Sequence, residues 1–177
     1  MKNRFVHYGV VLLIIAAVSA GILGLVNDFT KTVIAQNNEK AQNEAKRQVL
    51  AAANEFRTGE AVVVEDLEFV PGYDASGNKV GYVTTVAQPG YAGNITFILG
   101  VELDGKIAGV RVTNQSETPG LGAKVAGIEW QDHWIGKDSS HEFNKSVDAF
   151  AGATISPQAV YTGLMRALKA YETGVSK

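Results

Sequence analysis

The stretch DAFAGATISPQAV, residues Asp148–Val160, places a threonine hydroxyl just before a predicted helix. Ser156 is a favourable N-cap residue and Pro157 suits the first helical position. The apolar residues that follow recur at helical spacing, which predicts a helix from Pro157 to about Tyr171. A helix N-terminus presents unpaired N–H groups and a partial positive charge, and both favour binding of a phosphate.

Gly152, Ala153 and Thr154 therefore lie in the approach to a helix N-terminus. The hydroxyl of Thr154 could donate a hydrogen bond to a phosphate or be esterified to one. An ordinary loop with a hydroxyl-rich cap is the alternative interpretation of these residues.

Two other stretches have the composition of binding loops. The loop SETPGLGAK, Ser116–Lys124, contains glycines that let a flat ligand approach the backbone, and Lys124 offers a positive charge. A simple turn after a strand is the alternative. The stretch QPGYAGNI, Gln88–Ile95, is either a hairpin loop or the wall of a pocket.

Composition excludes several functional classes. The 177-residue chain has a net charge of −2, so we expect no nucleic-acid partner. It has no cysteine, which excludes disulfides, iron–sulfur clusters, thiolate zinc sites and c-type haem attachment. His7, His133 and His141 are scattered, so we expect no metal site and interpret them as surface or partly buried imidazoles.

The N-terminal region indicates a membrane anchor. The run Tyr8–Val26 carries no charge, and as a helix of about 28 Å it is long enough to cross the hydrocarbon core. Lys2 and Arg4 precede it, which predicts a cytoplasmic N-terminus and a body outside the cytoplasmic membrane. A signal peptide cleaved after Val18-Ser19-Ala20 is the alternative.

The rest of the chain predicts an α+β domain after a helical connector. We expect an anchor helix over residues 1–35, a connector over 36–59 and an extracytoplasmic domain over 60–177. Helix-favouring composition extends from Asn27 to Thr58, although the polar residues 36–46 could instead form a flexible spacer.

Three or four antiparallel strands, flanked by helices, are expected in the domain. Asp104-Gly105 is a hairpin turn signal between two of them, and the region around Trp130 and Trp134 has no clear pattern. The predicted strands are Ala61–Val64, Tyr82–Val86, Ile95–Leu103 and Lys106–Thr113.

The segments GYAGNI, VELDGKIAGVRV, SETPGLGAKV and AGATIS, in this order, resemble the RnfG family, the FMN-binding subunits of the Rnf complex. That complex is a membrane-bound, ion-translocating ferredoxin:NAD oxidoreductase of bacteria and some archaea. The resemblance covers nearly the whole chain, including the single N-terminal membrane helix. The combination of the ETPGLG loop with the GAT motif at this separation is what makes it specific.

The resemblance implies FMN attached covalently to a threonine through a phosphoester bond. The family motif is Asp-x-x-(Ser/Thr)-Gly-Ala-Thr-x-(Ser/Thr), and Ala151 stands where the family usually has a hydroxyl residue. The positions that match the motif are Asp148, Gly152, Ala153, Thr154 and Ser156.

The resemblance also implies how the flavin is held and attached. The flavin ring would lie against the second loop, whose expected binding residues are Glu117, Thr118, Gly120, Leu121, Gly122 and Lys124. A threonine hydroxyl is a poor nucleophile and the motif has no histidine to activate it, so a separate flavin transferase with Mg²⁺ and FAD is expected. We expect this chain to have no catalytic residues and to show no turnover without its partners. These partners would be the other membrane and Fe–S subunits of the Rnf complex.

Two alternative functions stay open at the level of sequence. The C subunit of the sodium-pumping NADH:quinone reductase resembles the RnfG family and also carries FMN on a threonine, but its chains are typically longer. A membrane-anchored binding module without redox chemistry is the alternative from a different class.

Overall fold

The computed structural model describes the backbone of residues 2–176 and the side chains of residues 6–27, 30, 31, 34 and 40–176. The chain divides into two compact units, Met1–Ala41 and Gln42–Lys177. The predicted α+β architecture is confirmed.

The first unit is helical and belongs to helix α1, Lys2–Val49. Within the described residues, Val6–Asn27 is the one segment long and apolar enough to cross a membrane, and none of it is buried inside the protein. The side chains of Lys2 and Arg4, on which the predicted orientation depends, lie outside the described residues.

Helix α1 ends at Val49, so the prediction of helix as far as Thr58 was wrong for the residues that follow it. The chain turns after Val49, which lets Leu50 and Ala53 become buried in the second unit. Burial of these apolar side chains outweighs the helical preference of the local sequence. A short 3₁₀ helix, Thr58–Glu60, then lies between the first two strands of the sheet.

The second unit contains a six-stranded antiparallel sheet, larger than the three or four strands expected. Its spatial order is β1-β3-β4-β5-β6, and β2 also pairs with β3. The strands are β1, Glu55–Phe56; β2, Val62–Val64; β3, Leu67–Tyr73; β4, Lys79–Pro89; β5, Asn94–Glu102; and β6, Ile107–Asn114.

All four predicted strands are present, but two strands were missed. Strand β1 lies where helix was predicted, and β3 contains Pro71 and Gly72, which are unfavourable in strand interiors. The glycine has a packing reason, since a Cβ at Gly72 would lie 2.8 Å from side-chain atoms of Leu50 and Ala53. Gly72 thus lets the turn after α1 lie close to the sheet.

The remaining helices are a 3₁₀ helix, Gly122–Ala126, and the α-helices α2, Ile128–Asp132, and α3, Ile155–Gly174. Helix α2 lies in the region that had no clear sequence pattern, and Trp134 just after it is fully buried. The predicted start of α3 was wrong, because the helix begins at Ile155 and Thr154 occupies the N-cap position. Ser156 cannot cap the helix because its hydroxyl is used elsewhere, as described below.

Strand β5 is buried on both of its faces. Phe97 and Leu99 lie in the main core with α3, whereas Ile98 lies in a smaller core with Val49 on the opposite face of the sheet. A Cβ at Gly100 would overlap the carbonyl of Val49, so the end of α1 approaches the backbone of the sheet directly. The second unit therefore has the end of α1 on one face of its sheet and α3 on the other.

Candidate functional site

A cavity of about 370 Å³ brings together the three stretches that the sequence indicated as binding loops. The β4–β5 hairpin loop, the loop after β6 and the start of α3 each contribute part of its wall. Its lining residues are Tyr91, Glu117, Thr118, Leu121, Gly122, Gly152, Ala153, Thr154, Ile155 and Ser156.

Glu117 joins the three parts of this wall. Its side chain is only 4% exposed. The N–H groups of Tyr91 and Ala92 each donate to its Oε1 at 3.0 Å, and the hydroxyl of Ser156 donates to its Oε2 at 2.5 Å. One carboxylate thus fixes the hairpin loop and the first turn of α3 against the loop that carries it.

The environment of Glu117 favours its ionised form. Burial by itself raises the pKa of a carboxyl group. The hydrogen bonds from Ser156 and from the N–H groups of Ala92 and Tyr91 outweigh this effect and hold the pKa of Glu117 below its usual value. The cavity wall therefore contains a buried negative charge at neutral pH.

Two glycines make room for this carboxylate. A Cβ at Gly90 would lie 2.5 Å from Glu117 Oε1, and a Cβ at Gly122 would overlap Ser156 Oγ and lie 2.7 Å from Glu117 Oε2. Both positions therefore require glycine because of the carboxylate and hydroxyl beside them. Gly122 was predicted to let a ligand approach the backbone. The structure shows that it also makes room for the contact between Glu117 and Ser156.

Thr154 lines the cavity, and its hydroxyl does not cap the helix. It is half-buried, and its side chain makes no capping hydrogen bond to α3. The turn that leads into it closes by a hydrogen bond from Ala153 N to Phe150 O, and Gly152 has a φ of +79°. That backbone conformation favours glycine, so Gly152 is needed for the turn itself.

Asp148, the first residue of the motif, is fully buried and lies at the centre of a polar cluster that the sequence did not predict. His133 Nε2 lies 2.7 Å from its Oδ1, and His141 Nε2 lies 3.0 Å from its Oδ2. The ammonium of Lys137 lies 3.4 Å from Oδ1, and Asn144 N donates to Oδ2 at 2.8 Å. Two of the three histidines that appeared scattered in the sequence therefore converge on one carboxylate.

This cluster keeps Asp148 ionised. Burial raises the pKa of its carboxyl group, but the hydrogen bonds from Asn144, His133 and His141 and the charge of Lys137 lower it far more strongly. In addition, Trp130 Nε1 donates to the carbonyl of Asp148 at 2.9 Å. The start of the motif is thus attached to α2 and to the segment after it.

Two predicted binding residues do not line the cavity. Gly120 has open space around its Cα and a φ of +78°, so its backbone conformation explains why it is glycine. The ammonium of Lys124 lies 5.9 Å from the centre of the Phe150 ring. Conversely, Ile155 lines the cavity although the sequence did not single it out, and its position follows from the earlier start of α3.

Comparison with known proteins identifies the family. Residues 90–169 match the FMN-binding domain family, and residues 1–49 match the RnfG N-terminal region. The chain is 31% identical to the G subunit of the Na⁺-translocating ferredoxin:NAD⁺ oxidoreductase complex of Acetobacterium woodii, over 93% of this chain and 90% of that one. The chain belongs to the RnfG family.

A second RnfG relative supports the same assignment. The G subunit of the ion-translocating oxidoreductase complex of Methanosarcina acetivorans is 36% identical over 90% of both chains. The FMN-binding match includes every residue that lines the cavity, so in this member of the RnfG family the cavity lies inside the FMN-binding domain.

Solved structures show that the fold is shared with a component of another system. NqrC of Shewanella oneidensis has a TM-score of 0.53 and 22% identity, over 71% of this chain and 70% of that one. The C subunit of the Na⁺-translocating NADH-quinone reductase of Parabacteroides distasonis has a TM-score of 0.53 and 20% identity, over 77% and 93%. These similarities establish the fold, whereas family membership follows from the RnfG relatives.

Proposed function

We propose that this protein is the electron-carrying flavoprotein subunit of an Rnf-type complex and that its FMN is attached to Thr154 through a phosphoester bond. The observation that carries the proposal is the convergence of the three predicted loops on one cavity, with Thr154 among its lining residues. Bound FMN would supply the redox chemistry, and the protein would position and tune it.

The structure favours Thr154 over Ser156 as the attachment residue. Ser156 is only 2% exposed and its hydroxyl already donates to Glu117. Thr154 is two residues earlier and more exposed, and its hydroxyl is free of the helix cap. An attaching enzyme would reach Thr154 without breaking a buried hydrogen bond.

The residues around Thr154 suit the two chemically different parts of FMN. Pro157 has no N–H, so the free donors at the start of α3 are the N–H groups of Ile155 and Ser156. These donors and the helix dipole would stabilise a phosphodiester by roughly 0.3–1 kcal/mol. Leu121 and Ile155 provide exposed apolar surface for a flavin ring.

Self-attachment is not supported by the side chains in the cavity. A threonine hydroxyl needs a base to act as a nucleophile near neutral pH. The carboxylate in the wall, Glu117, is occupied by three hydrogen bonds, and His133 and His141 contact Asp148 instead. Among the described residues, no group of three or more His, Asp or Glu side chains is placed to hold a metal ion. A separate flavin transferase using FAD and Mg²⁺ fits these facts.

The membrane segment and the relatives together suggest the cellular setting. The apolar segment Val6–Asn27 would anchor the protein in the cytoplasmic membrane as a single span. The positive charges before it favour a cytoplasmic N-terminus and an FMN-binding domain on the outer side. The partners would be the other membrane and Fe–S subunits of the complex.

The full chain produced together with a flavin transferase tests the proposal. The wild type should show a fluorescent flavin band on a denaturing gel, and peptide mass analysis should locate the adduct on Thr154. Thr154→Ala should abolish the band while leaving the domain folded, because a loop hydroxyl contributes at most about 1 kcal/mol. Thr162→Ala, on the exposed side of α3, is the matched control and should retain the flavin. A covalent band in Thr154→Ala, or none in the wild type, would contradict the proposal.

A further inference from the structure

Glu117 has the properties of a residue that tunes the cofactor as well as shaping the cavity. We propose that its carboxylate lowers the reduction potential of the flavin by placing a buried, uncompensated negative charge on the cavity wall. This inference rests on the proposed function, since it requires a flavin in this cavity.

The negative charge of Glu117 is stabilised by neutral groups. Its three hydrogen-bond donors are two backbone N–H groups and the hydroxyl of Ser156, none of which carries a formal charge. Across the part of the chain that the structure describes, no lysine, arginine or histidine forms a salt bridge with it. Asp148, the other buried carboxylate of this region, is by contrast compensated by Lys137.

An uncompensated buried charge acts strongly on its surroundings. Water screens a charge at the surface, but a side chain only 4% exposed is screened much less. Each electron that a flavin accepts adds one negative charge unless a proton follows it. A neighbouring carboxylate therefore makes electron uptake less favourable and uptake of the accompanying proton more favourable. Both the position in the wall and the lack of a salt bridge thus point to a lowered potential.

The decisive variant is Glu117→Gln, because glutamine can retain the three hydrogen bonds without the charge. Its amide oxygen can accept from the N–H groups of Tyr91 and Ala92, and its amide nitrogen can donate to the hydroxyl of Ser156. The measurement is a spectroelectrochemical titration of the full-length, flavin-loaded protein in detergent. We expect the midpoint potential of Glu117→Gln to rise above that of the wild type.

A second variant changes the same contact in the opposite electrostatic sense. Ser156→Ala keeps the carboxylate but removes the donor to its Oε2. The charge is then less dispersed, so the midpoint potential should fall below that of the wild type when both are measured at a pH of about 9, where the carboxylate stays ionised without this donor. Glu102→Gln, an exposed carboxylate at the far end of β5, is the matched control and should leave the potential unchanged.

These outcomes separate the tuning role from the proposed function. The wild type is first shown to carry covalent flavin, and its failure to do so would refute the proposed function and this inference with it. Given a loaded wild type, an unchanged or lower potential in Glu117→Gln overturns the tuning role alone. If Glu117→Gln does not take up flavin, Ser156→Ala decides the question, and an unchanged or higher potential in that variant at a pH of about 9 overturns the role.

Discussion

His133 Nε2 lies 2.7 Å from Oδ1 of Asp148, a side chain that is completely buried. The two residues are separated by a turn and a loop, and their contact attaches the start of the flavin motif to the end of α2. Asp148 is thereby a structural residue of the motif, distinct from the residues that line the cavity.

Loss of the Asp148 charge should destabilise the domain. Asp148→Asn leaves the partly buried ammonium of Lys137 without its counter-ion and weakens the contacts of both histidines. We expect the free energy of unfolding to fall by about 3 kcal/mol, because removing one partner of a buried ion pair leaves an uncompensated charge. Denaturant unfolding measures this loss of free energy, and Glu142→Gln, which changes an exposed carboxylate, is the control. A loss below about 1 kcal/mol would show that the cluster is not a structural anchor.

The same carboxylate should make stability depend on pH in the acid range. The pKa of Asp148 is lower in the folded state than in the unfolded state. Its contribution is therefore fully present above the unfolded pKa of about 3.9 and is lost as the pH falls below that value. The thermal unfolding midpoints of the wild type and Asp148→Asn should therefore converge as the pH is lowered from about 5 to about 2.5. A difference that stays constant over this interval would rule out the ionised carboxylate as its source.

Gly122→Ala should disturb the contact between Glu117 and Ser156. The added Cβ would overlap Ser156 Oγ and approach Glu117 Oε2, and overpacking of this kind typically costs about 1–3 kcal/mol. We expect reduced flavin incorporation, measured by in-gel fluorescence at equal protein amounts. Gly93→Ala is the matched control, because its nearest neighbour would lie 3.8 Å away. Equal incorporation in the two variants would contradict the packing role of Gly122.

Gly100→Ala should separate the end of α1 from the sheet. A Cβ at this position would overlap the carbonyl of Val49, and backbone cannot move aside as a flexible side chain can. We expect a loss of about 1–3 kcal/mol in the free energy of unfolding. Gly59→Ala, which would meet nothing within 4 Å, should have a small effect. Similar stability of the two variants would show that α1 does not need this close approach.

The orientation in the membrane can be tested by protease access. If the charges of Lys2 and Arg4 hold the N-terminus in the cytoplasm, protease added outside spheroplasts should digest the FMN-binding domain. Immunoblotting with an antibody to the domain measures its loss, and a cytoplasmic protein serves as the control for intact membranes. Complete protection of the domain would reverse the proposed orientation.

Features that depend on local pattern could be predicted from the amino-acid sequence. The length of an uncharged run, the alternation around Asp104-Gly105 and the periodicity after Pro157 are each contained in a few consecutive residues. They correctly predicted the apolar N-terminal helix, the hairpin of β5 and β6 and the body of α3. Reliance on local pattern also explains why β3 was missed. Pro71 and Gly72 make a strand unfavourable by local composition, whereas pairing with neighbouring strands and packing against the end of α1 stabilise it.

The construction of the site, in contrast, follows from contacts between residues that are distant in sequence. Ser156 has the residue type of an N-cap, but Glu117 takes its hydroxyl, and Thr154 occupies the N-cap position instead. Nothing in the sequence indicates that His133 and His141 contact a common residue, yet both contact Asp148. Hydrogen bonds and charge pairs of buried groups depend on which side chains the fold brings within about 3 Å of each other, and no local pattern encodes that choice.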